Sequence, residues 1–77
     1  MAAKALHHKV KTAMEFRTLE LKIQGVLVNH DGGRSGLLLN GQVYEEGEYV
    51  SDELMLRRVE EEQVWFVFRG LTLIRTL

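Results

Sequence analysis

Asn40-Gly41 is the strongest local signal in the chain. Both residues accept positive φ, as a tight type I′ turn requires, and strand-like residues flank them. A two-residue loop of this kind fixes two strands antiparallel and in one register. Leu37, Leu38 and Leu39 precede it as a short strand, expected to be buried on both faces. Gln42, Val43 and Tyr44 return from it. Arg69-Gly70 repeats the device. Before it, Val64, Phe66 and Phe68 alternate with Trp65 and Val67; after it, Leu71, Leu73 and Ile74 lead out to Leu77. A chain punctuated this way is built from hairpins.

The remaining segments fit that reading. Leu19, Leu21 and Ile23 alternate with Glu20, Lys22 and Gln24, which predicts a half-buried strand from Leu19 through Val28, with Gly25 marking a bulge or a close backbone approach. Residues 29–35 are dense in turn formers. Gly47 sits among acids where a strand would turn, and Tyr49-Val50 extends briefly. Leu54 and Leu56 alternate with Met55 and Arg57, and Val59 falls out of register by one, so a bulge is expected near Arg57-Arg58. Glu60, Glu61 and Glu62 form a polar turn. Residues 3–18 read as a helix, with Leu6, Val10 and Ala13 or Met14 as a thin apolar stripe that needs the rest of the domain, or a partner, to be stable. The sum is one short helix and about six short strands. The expected fold is mainly β: a small antiparallel sandwich or partly closed barrel over residues 19–77. Residues 1–18 form its helical lead-in, whose first residues can be read as native or as added.

Composition narrows the function. At 77 residues one domain fits, and with no cysteine and no proline its stability must come from a small apolar core. Ten Lys+Arg against eleven Asp+Glu give no bulk positive charge for nucleic acid. No apolar run is long enough to cross a membrane, and Met1-Ala-Ala-Lys4 lacks the core of a signal peptide. Charge is uneven: residues 1–22 carry a net of +3, residues 45–62 a net of −6. That pattern reads as solvated faces, as an acidic edge for a basic partner, or as a basic N-terminal segment folding back onto acidic loops.

Candidate chemistry is thin. His7 and His8 are adjacent on a helix and point about 100° apart, so they do not chelate one ion from one face. His30-Asp31 would join them only by the accident of folding. Asp31 to Gly36 is glycine-rich but lacks the Lys-[Ser/Thr] ending and following helix of a phosphate cradle, and its acids do not have the spacing of a calcium loop. Ser35 and Ser51 lie in turns without a nucleophile elbow. No catalytic residue, metal or cofactor is expected. Trp65 is the exception of interest. If Phe66 and Phe68 face the core, Trp65 faces outward, either under the N-terminal helix or as part of a partner surface. Aromatics on one strand also suit an oligonucleotide-binding barrel, but such a sheet carries basic neighbours and these are mostly acidic.

The stretch from Arg34 to Val50 resembles the C-terminal periplasmic domain of the general secretion pathway protein B family, an accessory of type II secretion. That family shows an Arg, two aliphatics, Asn-Gly, Tyr, Glu-Gly, acid and aliphatic core. Arg34, Leu38, Leu39, Asn40, Gly41, Tyr44, Glu46, Gly47, Glu48 and Val50 fall on it. Leu54 to Val59 and Val64 to Gly70 are similar to its later strands, and Val10 to Leu21 to its short leading helix. The chain departs from it in lacking prolines beside the helix. The homology-region domain of protein C and the pilus-assembly inner-membrane lipoprotein are related alternatives that generally lack the Asn-Gly and Glu-Gly core. The resemblance implies a structural role: an inner-membrane-anchored protein whose periplasmic β domain docks the secretin's N-terminal periplasmic domain, with an ATPase partner of the same pathway. Neither nucleic acid nor direct membrane contact by this segment is implied. Self-association is a further expectation, through residues 3–18. Docking of this kind commonly uses a sheet edge. The partner-binding candidates are therefore Lys22, Gln24, Val26 and Val28 on the first strand and Thr72 and Ile74 on the last, with Trp65 and Arg69 as side-chain anchors. Asn40, Gly41, Gly47 and Gly70 are expected to serve as turns.

Overall fold

The computed structural model describes the backbone of residues 2–77 and the side chains of residues 8–77; Leu6 and His7 fall outside the described side chains. One helix, α1 (Ala2–Thr18), precedes six strands: β1 (Ile23–Leu27), β2 (Gly36–Leu39), β3 (Gln42–Glu45), β4 (Leu54–Val59), β5 (Gln63–Phe68) and β6 (Leu71–Thr76). They form two antiparallel three-stranded sheets, β1-β2-β3 and β4-β5-β6, which are not closed into a barrel. Both two-residue turns form as the sequence predicts. Asn40 and Gly41 have φ of 49° and 81°, Arg69 and Gly70 of 51° and 81°. They close the Leu39–Gln42 and Phe68–Leu71 pairs.

Both predicted bulges are present, and each has the same purpose. Strict alternation would put Ile23 and Val26 on opposite faces. An irregularity between Ile23 and Gly25 lets both turn inward. A second one between Leu56 and Arg58 does the same for Leu54, Leu56 and Val59. The core that results is Phe16, Leu37, Leu39, Leu54, Leu56, Val59, Val64, Phe66 and Phe68, and Leu39, Leu56, Val64 and Phe66 are wholly buried.

Three expectations need correction. The first strand begins at Ile23, not Leu19. Leu19 N–H donates to the Phe16 carbonyl and Leu21 N–H to that of Leu19, so residues 19–22 unwind the helix before the ladder begins. Leu38 is at the surface, because β2 is covered on one face only. The helix does not dock through Val10 and Met14, which are 50% and 61% exposed. It docks through Thr12 and Phe16, one turn apart, and the Phe16 ring sits 5.7 Å from Phe66 and 6.1 Å from Phe68.

The two sheets are stitched along one seam. β3 runs into Gly47–Val50, which lies against β4. Gly47 N–H donates to Leu56 O (2.7 Å), Leu56 N–H to Glu48 O (2.9 Å) and Val50 N–H to Leu54 O (2.8 Å). Glu46 completes the seam with its side chain. One carboxylate oxygen accepts from Ser35 N–H (2.9 Å) at the start of β2, the other from Val59 N–H (2.9 Å) at the end of β4. Among the described residues the opposite seam, between β1 and β6, has no such stitching.

Candidate interaction edges

Four strand edges bound the two sheets, and the chain treats them differently. In β4 the outward N–H and C=O groups of Leu54 and Leu56 are taken by Gly47–Ser51, and the outward N–H of Val59 by Glu46. In β3 the outward pair at Glu45 is closed by Glu48, whose carboxylate accepts from Glu45 N–H (2.7 Å) and whose own N–H donates to Glu45 O (3.0 Å). Only Val43 is left on that edge.

β1 is open. Leu37 and Leu39 face β3 in the ladder that the Asn40-Gly41 turn sets, so their partners across β1, Val26 and Ile23, turn their backbone groups outward. Beside them runs a groove of about 470 Å³ lined by Leu21, Ile23, Val26, Arg75 and Leu77, among others. It marks the unstitched seam. Phe16 fills the space beneath, and the Arg75 guanidinium lies 5.0 Å over its ring and donates to Phe16 O. β6 is open as well. The Phe68–Leu71 closing pair commits Leu71, Leu73 and Arg75 to β5, leaving the backbone of Thr72, Ile74 and Thr76 facing out. Among the described residues no backbone group outside β5 reaches them.

The sequence-predicted candidates sort accordingly. Val26 lies on the β1 edge with its side chain half-buried against the core. Lys22 and Gln24 are exposed, but both are tied to the first turn: Lys22 N–H donates to Asn40 Oδ1 (2.8 Å), and Gly41 N–H to Gln24 Oε1 (2.7 Å). Val28 lies away from the groove, in a polar depression at the far end with His30 and Glu60 to Glu62. Thr72 and Ile74 are exposed on β6. Arg69 lies between Glu53 (2.8 Å) and Glu15, which ties the helix to the β5–β6 turn, and the two carboxylates hold its pKa up. Its charge is therefore engaged within the chain. Asn40 does more than turn: its Nδ2 donates to Glu20 O (2.9 Å), pinning the entry to β1. Gly47 has φ of 94°, in the left-handed region its turn requires.

Trp65 is not covered by the helix, because Phe16 packs on the opposite face, against Phe66 and Phe68. It is half-buried on the outer face of β5, between Arg58 on β4 and Ile74 on β6. Its Nε1 donates to Glu60 (2.9 Å). A bond from Gln63 and, after it, this one from Trp65 hold the Glu60 carboxyl below the usual carboxylate range. The described helix lysines, Lys9 and Lys11, make no ion pair with the acidic loops; among the described residues the ion pair from helix to β domain is Glu15 with Arg69, and Lys4 lies outside the described side chains. His30 lies at 3.4 Å from Glu61 on the surface, and no three ligating side chains converge among the described residues. No described helix is long and apolar enough to cross a membrane.

Glu46 and Phe16 are the residues that sequence reasoning undervalued. Glu46 stands in the sequence as one acid in a run of eight, and Phe16 lies off the apolar stripe. Gly47 directly after Glu46 was the available signal, since a sharp turn there throws the preceding side chain back across the seam. Set against known proteins, the chain matches no family, no curated protein and no solved structure.

Proposed function

We propose that the chain is a non-enzymatic protein-interaction domain of type II secretion, docking the secretin's N-terminal periplasmic domain by strand addition at β1. The observation that carries this reading is the β1 edge. Ile23 and Val26 present unpaired backbone beside an open groove, while the opposite seam is stitched shut. The bulge at Gln24 gives that edge selectivity. An ordinary strand cannot follow the irregular register, so a partner must match it. The resemblance of residues 34–50 supplies the identity of the partner, and with it a periplasmic setting, an inner-membrane anchor and an ATPase of the same pathway.

The test is a pair of variants. Val26→Pro deletes an outward N–H that no ladder bond uses. Val43→Lys alters the far edge of the other seam. Both are first compared with the parent by thermal melting. The reading expects Val26→Pro to weaken binding to the secretin domain by about tenfold or more, and Val43→Lys to leave it unchanged. Equal binding by Val26→Pro would exclude docking at β1.

A further inference from the structure

The β6 edge is built differently from the other three. It is six residues long and regular along its whole pairing with β5, and among the described residues no backbone group pairs with its outer side. Its outward positions, Thr72, Ile74 and Thr76, are uncharged and exposed. Natural edges are normally protected by a lysine, a proline, a bulge or a cap. β4 and β3 carry caps and β1 a bulge; β6 carries none of these.

An unprotected edge calls for an occupant, and the sequence of β6 specifies one. Antiparallel pairing of two copies about a two-fold axis at Ile74 sets Ile74 opposite Ile74 and Thr72 opposite Thr76. Both are favourable cross-strand pairs. The outward backbone groups of these residues then meet in register. Arg75, the strand's one charge, falls opposite Leu73 of the other copy rather than opposite itself, so no like charges face each other. On the outer face Ile74 already adjoins Trp65, and it is 46% exposed. Pairing would join Trp65–Ile74 of one copy to Ile74–Trp65 of the next in one apolar row.

We propose that a second copy of this chain pairs through β6, making a six-stranded antiparallel sheet across a two-fold axis. The contact is one strand and one apolar row, smaller than the interfaces of obligate dimers, so the dimer is reversible. It uses the β6 side of the open seam whose other side is β1, and Thr76 lines the same groove as Ile23 and Val26, so the two contacts compete for that seam. Failure of the dimer would still leave the secretin reading standing.

The 77-residue chain is examined by sedimentation equilibrium over a concentration series. Its average mass should rise from 8.9 kDa toward twice that value. Ile74→Lys sets two lysines opposite each other and should weaken the dimer by about tenfold or more while the chain melts as before. Because the chain has no cysteine, Ile74→Cys supplies a single reporter. Mild oxidation should link it into a covalent dimer faster than Val43→Cys, which sits at the more exposed Val43, at 70%. A mass fixed at 8.9 kDa up to millimolar concentration would overturn the proposal. So would a dimer that Ile74→Lys leaves intact, which would point to another surface such as Val10 and Met14 on the helix.

Discussion

Glu46 joins the two sheets through one carboxylate, accepting from Ser35 N–H and Val59 N–H. Removing it leaves two half-buried backbone donors without partners, and bonds to charged acceptors are the stronger kind. Glu46→Ala should therefore lower stability by about 2–3 kcal/mol in urea unfolding. Glu46→Gln should fall between, since its amide keeps one acceptor and turns a donor toward the other N–H. A loss under about 0.5 kcal/mol for the alanine variant would mean the seam is held by Gly47–Val50 alone. Glu60 offers a second residue-level test. Its bonds from Gln63 and Trp65 favour the ionised form and lower its pKa. A lowered pKa contributes stability that is fully present above the ordinary carboxylate range and is lost as pH falls through the lowered value. The chain's one tryptophan reports the event directly. Emission from Trp65 should change at acid pH with a midpoint below that of a free carboxylate, and Glu60→Gln should abolish the change. A midpoint in the ordinary range would contradict the bond.

At the scale of elements, the strands were legible because their signals are local. Asn40-Gly41 and Arg69-Gly70 fix two hairpins from two residues each. The misplaced Val59 and the inserted Gly25 announce bulges, because a buried face tolerates no break in alternation. The helix was legible as a helix but not in its orientation. Val10 and Met14 looked like its buried stripe, yet the contact that decides orientation is with Phe66 and Phe68, about fifty residues away. An aromatic outweighs two aliphatics there because it buries more area in one rotamer. Phe16→Ala should cost about 3 kcal/mol and reduce helical ellipticity, as residues 12–18 lose their anchor. Met14→Ala should change stability by less than about 0.5 kcal/mol. Equal effects would mean that the helix docks through its stripe instead. The covered edges were illegible for the same reason as the helix face: no local pattern says that Glu48 will turn back on Glu45.

For the whole molecule, the six strands run in sequence around an incomplete cylinder. The β3–β4 seam is closed by the chain itself; the β1–β6 seam is filled by Phe16 below and left without backbone pairing above. That asymmetry leaves two strand edges without backbone partners at one seam among the described residues, and it distributes the candidate residues. Val26 stays with the β1 edge and Thr72 and Ile74 with β6, whereas Lys22, Gln24 and Arg69 are engaged within the fold. The central claim is that β1 receives the partner. The most direct measurement is the amide spectrum of the isotopically labelled chain during titration with the secretin's N-terminal periplasmic domain. Shifts centred on Ile23–Leu27 and on the groove residues Arg75 to Leu77 are the predicted result. No shifts at millimolar partner, or shifts confined to the acidic end around Glu60 to Glu62, would contradict it.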